Sequence, residues 1–254
     1  MRTFETMAVN QRLAELQKER VREMMQGEKT RDQALELAFQ VLASADHLVS
    51  RFEAENALPQ PIVCQLGCHF CCFNQIELTP PEAFLMGDYL DRQFSPQEKN
   101  QLRDNLTATL KRKSGQSKTE IARRRMDFPC PLLRDGRCAV YPVRPLVCRA
   151  MHSFDAARCE KELRSGDLAP TEFYAHRYEI ILSLGAGLLD GCRALGCQAG
   201  SLDLAGALLD FFTQTRVVER WLAGEQVFGA AGGDGGPVEQ NGKKWLGVTP
   251  KHAL

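Results

Sequence analysis

The stretch Pro61-Ile-Val-Cys64-Gln-Leu-Gly67-Cys68-His69-Phe-Cys71-Cys72-Phe73 places four thiols within nine positions. Three more follow as a second compact group, Cys130, Cys138 and Cys148. Thiolates bind soft or borderline metals, and coordination drives their deprotonation. Spacings of the C-x3-C and C-x2-C kind let one loop present several sulfurs to one centre, and Gly67 permits the tight turn this requires. The two groups are therefore expected to converge on one metal site. Its candidate ligands are Cys64, Cys68, Cys71, Cys72, Cys130, Cys138 and Cys148. A structural zinc site closes with four ligands, and an iron–sulfur cubane also takes four cysteines. Seven thiols exceed either count, so they serve two sites or one larger cluster, or some remain free. That excess favours iron–sulfur over zinc as the cofactor. Buried structural thiols are the plain alternative.

The rest of the composition is ordinary. Thirty-two basic residues balance 32 acidic ones in a chain of 254, which leaves no global charge to attract nucleic acid or an anionic membrane. The N-terminal residues lack the apolar core of a secretory signal, and no apolar run is long enough to span a membrane. Ten cysteines in such a chain fit a reducing, cytoplasmic setting and metal or redox chemistry, rather than a disulfide framework.

Outward from the first cysteine block, residues 1–58 read as N-terminal helices. Leu13, Leu16, Val21 and Met24 are expected on the buried side of a helix over Phe4–Met25. Leu35, Phe39, Leu42, Ala45, Val49 and Phe52, stepping by three and four, mark the buried face of the next. A partner helix on this surface is the alternative to packing within the chain. Residues 59–150 form the cysteine-cluster module. Within it, Thr79-Pro80-Pro81-Glu82 and Ser95-Pro96-Gln97-Glu98 carry capping-box signals for two helices. Lys111 to Arg125 holds seven basic residues against Glu120, with no aromatic residue to stack on a base, and reads as a solvated face. Asp135-Gly136 predicts a small hairpin, and Pro142 and Pro145 predict an extended strap after it. Residues 151–223 return to helices packing on the same domain, with Cys192 and Cys197 in the loop between two of them. Residues 224–254, rich in glycine, read as a flexible tail.

The motifs resemble the bacterial cysteine-cluster proteins of the YkgJ-like family, which carry a zinc- or iron-chelating domain with a C-x(2,3)-C-x2-C-C motif. Cys64, Cys68, Cys71 and Cys72 match its first block, with Leu78-Thr79 and Glu82-Ala83 behind them. Cys130-Pro131, Leu133, Cys138, Tyr141-Pro142, Arg144-Pro145 and Cys148-Arg149 match the second. The match covers residues 62 to 150 and implies metal chelation; it carries over no catalytic residue. Cys159, Cys192 and Cys197 fall outside it. Cys64, Cys68 and Cys71 also resemble the three-cysteine loop of radical S-adenosylmethionine enzymes. That chemistry sits on a long α/β barrel and leaves Cys72 and the second block unexplained. The flagellin lysine methylases are similar in their cysteine cluster.

The expected fold is mainly α, a helical scaffold around an irregular cysteine-rich metal module with a small β-hairpin. The expected function is a metal-binding cysteine-cluster protein holding an iron–sulfur cluster or zinc. A methylase-like modifying enzyme dependent on metal and S-adenosylmethionine, and a zinc-stapled interaction protein with a protein partner, are the alternatives. Arg137, Arg144 and Arg149 are placed to offset the negative charge of a thiolate centre. His69 and His152 are the histidines close in sequence to the cysteines, and a Cys–His nucleophile pair is the catalytic reading they offer.

Overall fold

The computed structural model describes residues 9–166 and 172–229, together with the backbone of Trp245–Leu246. Two long helices open the chain, α1 (Gln11–Met24) and α2 (Arg31–Glu55). Asn10 accepts the Leu13 N–H at the start of α1, and Thr30 with Gln33 forms a capping box at the start of α2. After the first cysteines come β1 (Glu77–Leu78), α3 (Pro80–Gln93), α4 (Pro96–Lys113) and α5 (Lys118–Arg123). The second block contains the hairpin of β2 (Leu133–Arg134) and β3 (Arg137–Cys138), then α6 (Leu146–Ala150). The chain continues through α7 (Ala156–Ser165), β4 (Phe173–Tyr174), α8 (Ala175–Ala194), β5 (Leu202–Asp203), α9 (Leu204–Thr213) and α10 (Val217–Leu222). The strands serve only as ties: β1 pairs antiparallel with β5, and β6 (Trp245–Leu246) pairs parallel with β4.

The fold is mainly helical, as the periodicity predicts, and one continuous core runs from Val21 to Phe228. The closest contact is between α1 and α8. A Cβ on Gly187 would lie 2.2 Å from the Ala14 carbonyl oxygen, and one on Gly191 2.5 Å from Val21 Cβ. The two backbones therefore meet through small residues. This close approach turns α1 so that Ala14, Gln17 and Val21 are buried while Leu16 is 61% exposed, contrary to the expected stripe. In α2 the buried face is Ala34, Leu35, Leu37, Ala38, Val41, Leu42 and Ala45, continuing to Val49 and Phe52. Phe39 lies off that face and is 55% exposed. The part of the first expected helix before residue 9 is outside the described residues.

Both predicted capping boxes form. Glu98 accepts the Ser95 N–H and hydroxyl, and Glu82 accepts those of Thr79. The hairpin turns on Asp135 (φ 47°) and Gly136 (φ 72°), the pair of positive φ values that a two-residue turn between twisted strands needs. The extended strap does not form. Pro142 sits in a 3-10 turn over Tyr141–Val143, and Pro145 caps α6, so proline opens short helical turns here instead of forbidding them. Cys148 is accordingly helical. In the basic stretch, Lys113 pairs with Asp203, Lys118 with Glu77 and Arg124 with Asp127. Of the segment expected to be a flexible tail, Val227 and Phe228 are buried, held by Gln198 through their N–H groups. Residues 230–254, apart from the backbone of Trp245–Leu246, lie outside the described residues.

Candidate metal centre

The first block is a loop that crosses from α2 to β1. Gly67 takes φ 96°, and the Cys68 N–H closes a turn on the Gln65 carbonyl. Phe70–Phe73 then forms a single 3-10 turn that carries Cys71 and Cys72 side by side. The second block docks directly on this turn, because the Cys130 N–H donates to the Cys72 carbonyl at 2.7 Å. Cys138 ends β3 opposite Leu133, and Cys148 lies on α6, which packs against α8. His69 lies beside the Gly136 corner of the hairpin, where an added Cβ would stand 3.6 Å from its Nδ1.

Backbone N–H groups point at several sulfurs. The Leu132 and Val140 amides, each two residues beyond a cysteine, face Cys130 and Cys138. The Ser153 amide donates to Cys64 Sγ at 3.2 Å, and the Val63 N–H returns to the Ser153 carbonyl at 3.0 Å. An N–H aimed at sulfur favours the thiolate over the thiol. The same Ser153 hydroxyl sits beside the Cys159 sulfur and also donates to the Asp155 carbonyl, at the start of α7. Cys159 thus joins the first block through Ser153. It lies within electrostatic reach of Cys68 and Cys71 as well as Cys64. The sequence motif does not include it, since it stands eleven positions beyond Cys148 with no short cysteine spacing. Asp155, which caps α7 by accepting the Arg158 N–H, is the signal that fixes where that thiol falls.

Cys71 is the electrostatic hub. Its sulfur hydrogen-bonds Cys72, and that bond, followed by burial and the Cys72 charge, pushes its thiol far up. Cys130, Cys138 and Cys148 all feel Cys71. Burial first, and neighbouring sulfurs after it, raise Cys148 and Cys138 and push Cys130 up to about 11. Burial likewise raises Cys64 and Cys159. Crowded thiols of this kind stay protonated near neutral pH unless a cation offsets the charge that ionisation creates. Tyr178, on the first turns of α8, feels Cys71 and Cys64, and burial followed by those sulfurs raises its hydroxyl to about 12. None of the ten cysteines forms a disulfide.

Around the sulfurs the polar groups are mostly committed to structure. The buried Glu82 carboxylate accepts the Leu146 N–H at 2.6 Å as well as its own cap donors, so α3 and the Cys148 helix share one anion. Arg149 is buried and spends its guanidinium on Asp46 and on the carbonyls of Arg144 and Pro142. Arg144 stacks over the Tyr141 ring at 4.2 Å and acts electrostatically on Cys71 and Cys138, as a charge-offsetting cation would. Arg137 is exposed in the hairpin. His152 is closed to chemistry. Its Nε2 accepts the Tyr174 N–H at 2.7 Å, which leaves Nδ1 to donate to the Ala150 carbonyl, and burial pushes its pKa down to about 4. This removes His152 from the Cys–His nucleophile reading. His176 bonds Glu53 instead of any cysteine, His47 is exposed, and His252 lies outside the described residues.

Cys192 and Cys197 stand apart. Cys192 belongs to the last turns of α8 rather than to a loop, and the Cys197 N–H bonds its carbonyl at 3.0 Å. Both are buried, and burial pushes the Cys192 thiol up to about 12. Among the described residues, no three Cys, His, Asp or Glu side chains stand close enough to hold an ion as they are. The donor set still fits a thiolate metal. The eight sulfurs are linked electrostatically around Cys71, three have N–H groups aimed at them, and the two blocks are tied to one another by a hydrogen bond. A bound metal would supply the positive charge that turns these thiols into thiolates.

No curated protein and no solved structure matches the chain. Residues 63–165 match the family model CxxCxxCC, described as "Putative zinc- or iron-chelating domain". The matched region runs past Cys148 and takes in Ser153 and Cys159, so it encloses every sulfur grouped above except the buried pair on α8 and after it. The similarity to this family spans residues 63–165, less than half of the chain.

Proposed function

We propose that the protein chelates zinc or an iron–sulfur cluster through both cysteine blocks, with Cys64, Cys68, Cys71, Cys72, Cys130, Cys138 and Cys148 as ligands. The observation that carries this reading is the hydrogen bond from the Cys130 N–H to the Cys72 carbonyl at 2.7 Å, which docks one block on the other beside the Cys71 hub. The chain's own residues do three things here. The 3-10 turn and the hairpin hold sulfurs at fixed spacing, amide N–H groups favour their ionised form, and Arg144 offsets their charge. Cys159 belongs with the ligands, which brings the set to eight. Eight sulfurs divide evenly into fours for zinc and for a cubane alike, so their number no longer favours iron–sulfur. Reduced thiols throughout suit a reducing compartment.

Anaerobic purification followed by zinc, iron and sulfide analysis tests the reading. Near-stoichiometric metal in the isolated protein is the expected result. Metal-free protein that takes up neither zinc nor iron on reconstitution contradicts it.

A further inference from the structure

The end of α8 brings together Cys192 and Cys197, the two thiols that the metal centre does not use. The helix closes in a Schellman motif. The Cys197 N–H bonds the Cys192 carbonyl and the Gly196 N–H bonds the Arg193 carbonyl, both at 3.0 Å, with Gly196 at φ 75°. Residues at these two ends of the motif face one another, and the place where apolar side chains ordinarily meet is filled here by two thiols. The 3.0 Å bond and standard backbone dimensions keep the two Cα atoms within about 7 Å, the separation beyond which a disulfide cannot close. The turn is fastened from three directions. Lys29 Nζ donates to the Leu195 carbonyl at 2.8 Å, Trp221 Nε1 donates to the Gln198 carbonyl at 2.7 Å, and the Gln198 side chain accepts the Val227 and Phe228 N–H groups. Access to the pair is unequal: Cys192 has no exposed surface, whereas Cys197 is 5% exposed. Burial raises the Cys197 thiol, and the Lys29 charge pulls it the other way.

We infer that Cys192 and Cys197 are a redox dithiol, separate from the metal-binding sulfurs, which hydrogen peroxide converts reversibly to a disulfide across the end of α8. The Cys197 thiolate attacks one peroxide oxygen, the O–O bond breaks, and hydroxide leaves a sulfenic acid on Cys197. The Cys192 sulfur then attacks the Cys197 sulfur and the S–O bond breaks. Together the two thiols lose two electrons and two protons, and the peroxide becomes two molecules of water. Peroxide suits this site because the narrow edge of Cys197 admits a small oxidant and excludes a bulky disulfide donor. Cys192 is the resolving thiol, since nothing from solvent reaches it and Cys197 faces it across the turn. Thiol–disulfide exchange with a small dithiol restores the pair. The bond latches the turn from which the α1–α2 connection and residues 221–228 are held.

Peptide mapping of the full-length wild-type protein tests this. The reduced protein is treated with a small excess of hydrogen peroxide, unfolded in iodoacetamide and digested with trypsin without reduction. Cleavage after Arg177, Arg193 and Arg216 places the two thiols on separate peptides, residues 178–193 and 194–216, neither of which holds another cysteine. The expected result is that these two peptides are recovered joined, and that dithiothreitol added before alkylation separates them. Recovery of both peptides alkylated after peroxide overturns the inference, as does either peptide joined to one from the cysteine blocks. In Cys192→Ala the resolving thiol is gone, so dimedone should label Cys197 as its sulfenic acid in peroxide-treated protein. Absence of that label contradicts Cys197 as the attacked thiol. Both readouts concern peptides outside the metal-binding blocks, so they stand or fall independently of chelation.

Discussion

The Glu82 carboxylate joins the Leu146 N–H to the Thr79 cap, so a single buried anion ties the helix behind the first cysteine block to the helix that carries Cys148. Burial raises its pKa against the pull of these donors and of Arg149. Glu82→Ala orphans two buried N–H groups and should destabilise the fold by about 3 kcal/mol, measured by urea unfolding. Glu82→Gln keeps an acceptor oxygen and should cost less. If both variants unfold like wild type, the shared cap carries no stability.

Ser153 should matter to the metal more than to the fold. Ser153→Ala keeps the amide on Cys64 but removes the hydroxyl beside Cys159, and such supporting contacts affect affinity by about 10- to 100-fold. Competition with a chromophoric chelator measures it. Unchanged affinity would mean that Cys159 is held by α7 alone.

Cys192 is the matching negative control. Being buried with Cys197 away from the cluster, it should tolerate Cys192→Ala with metal content unchanged and a stability loss of about 1 kcal/mol. Metal lost from this variant would place α8 in the site.

Acid should loosen the fold in two steps. His152 is neutral when folded, with a pKa lowered from 6.5 to about 4, so its contribution is full above pH 6.5 and fades as pH falls toward 4. Its shift corresponds to about 2 kcal/mol after allowance for partial solvent access. Glu53 follows. Burial pushes it up, but hydrogen bonds from His176 and Arg177 outweigh burial and hold it at about 2, so its contribution is present above pH 4.5 and lost toward pH 2. Thermal melts from pH 7.5 to 4 should show a falling midpoint in wild type and a flatter profile in His152→Gln.

The legible parts of the chain were those with local chemistry. Thr79 with Glu82, Ser95 with Glu98, and Asp135-Gly136 each specify their structure within four residues, and each formed. Leu16 was misjudged because the α1–α8 contact runs through Gly187 and Gly191, and a pattern of large apolar residues does not register a face made of small ones; Phe39, on α2, lies off the buried face that Ala34, Ala38 and Ala45 share with Leu35 and Leu42. Gly187→Ala should therefore destabilise the protein by about 1–3 kcal/mol through overpacking, despite being a one-methyl change on a helix. Cys159 was illegible for another reason. Its place beside Cys64 depends on Ser153 reaching back 89 residues, a contact with no trace in cysteine spacing.

The claim that the two blocks share their metal is tested most directly by the metal content of Cys71→Ala/Cys72→Ala protein, compared with wild type after the same chelator challenge. The account predicts that this double variant holds essentially no metal, although Cys130, Cys138 and Cys148 are intact. Retention of half or more of the wild-type metal would contradict it, because the second block would then be binding without the first.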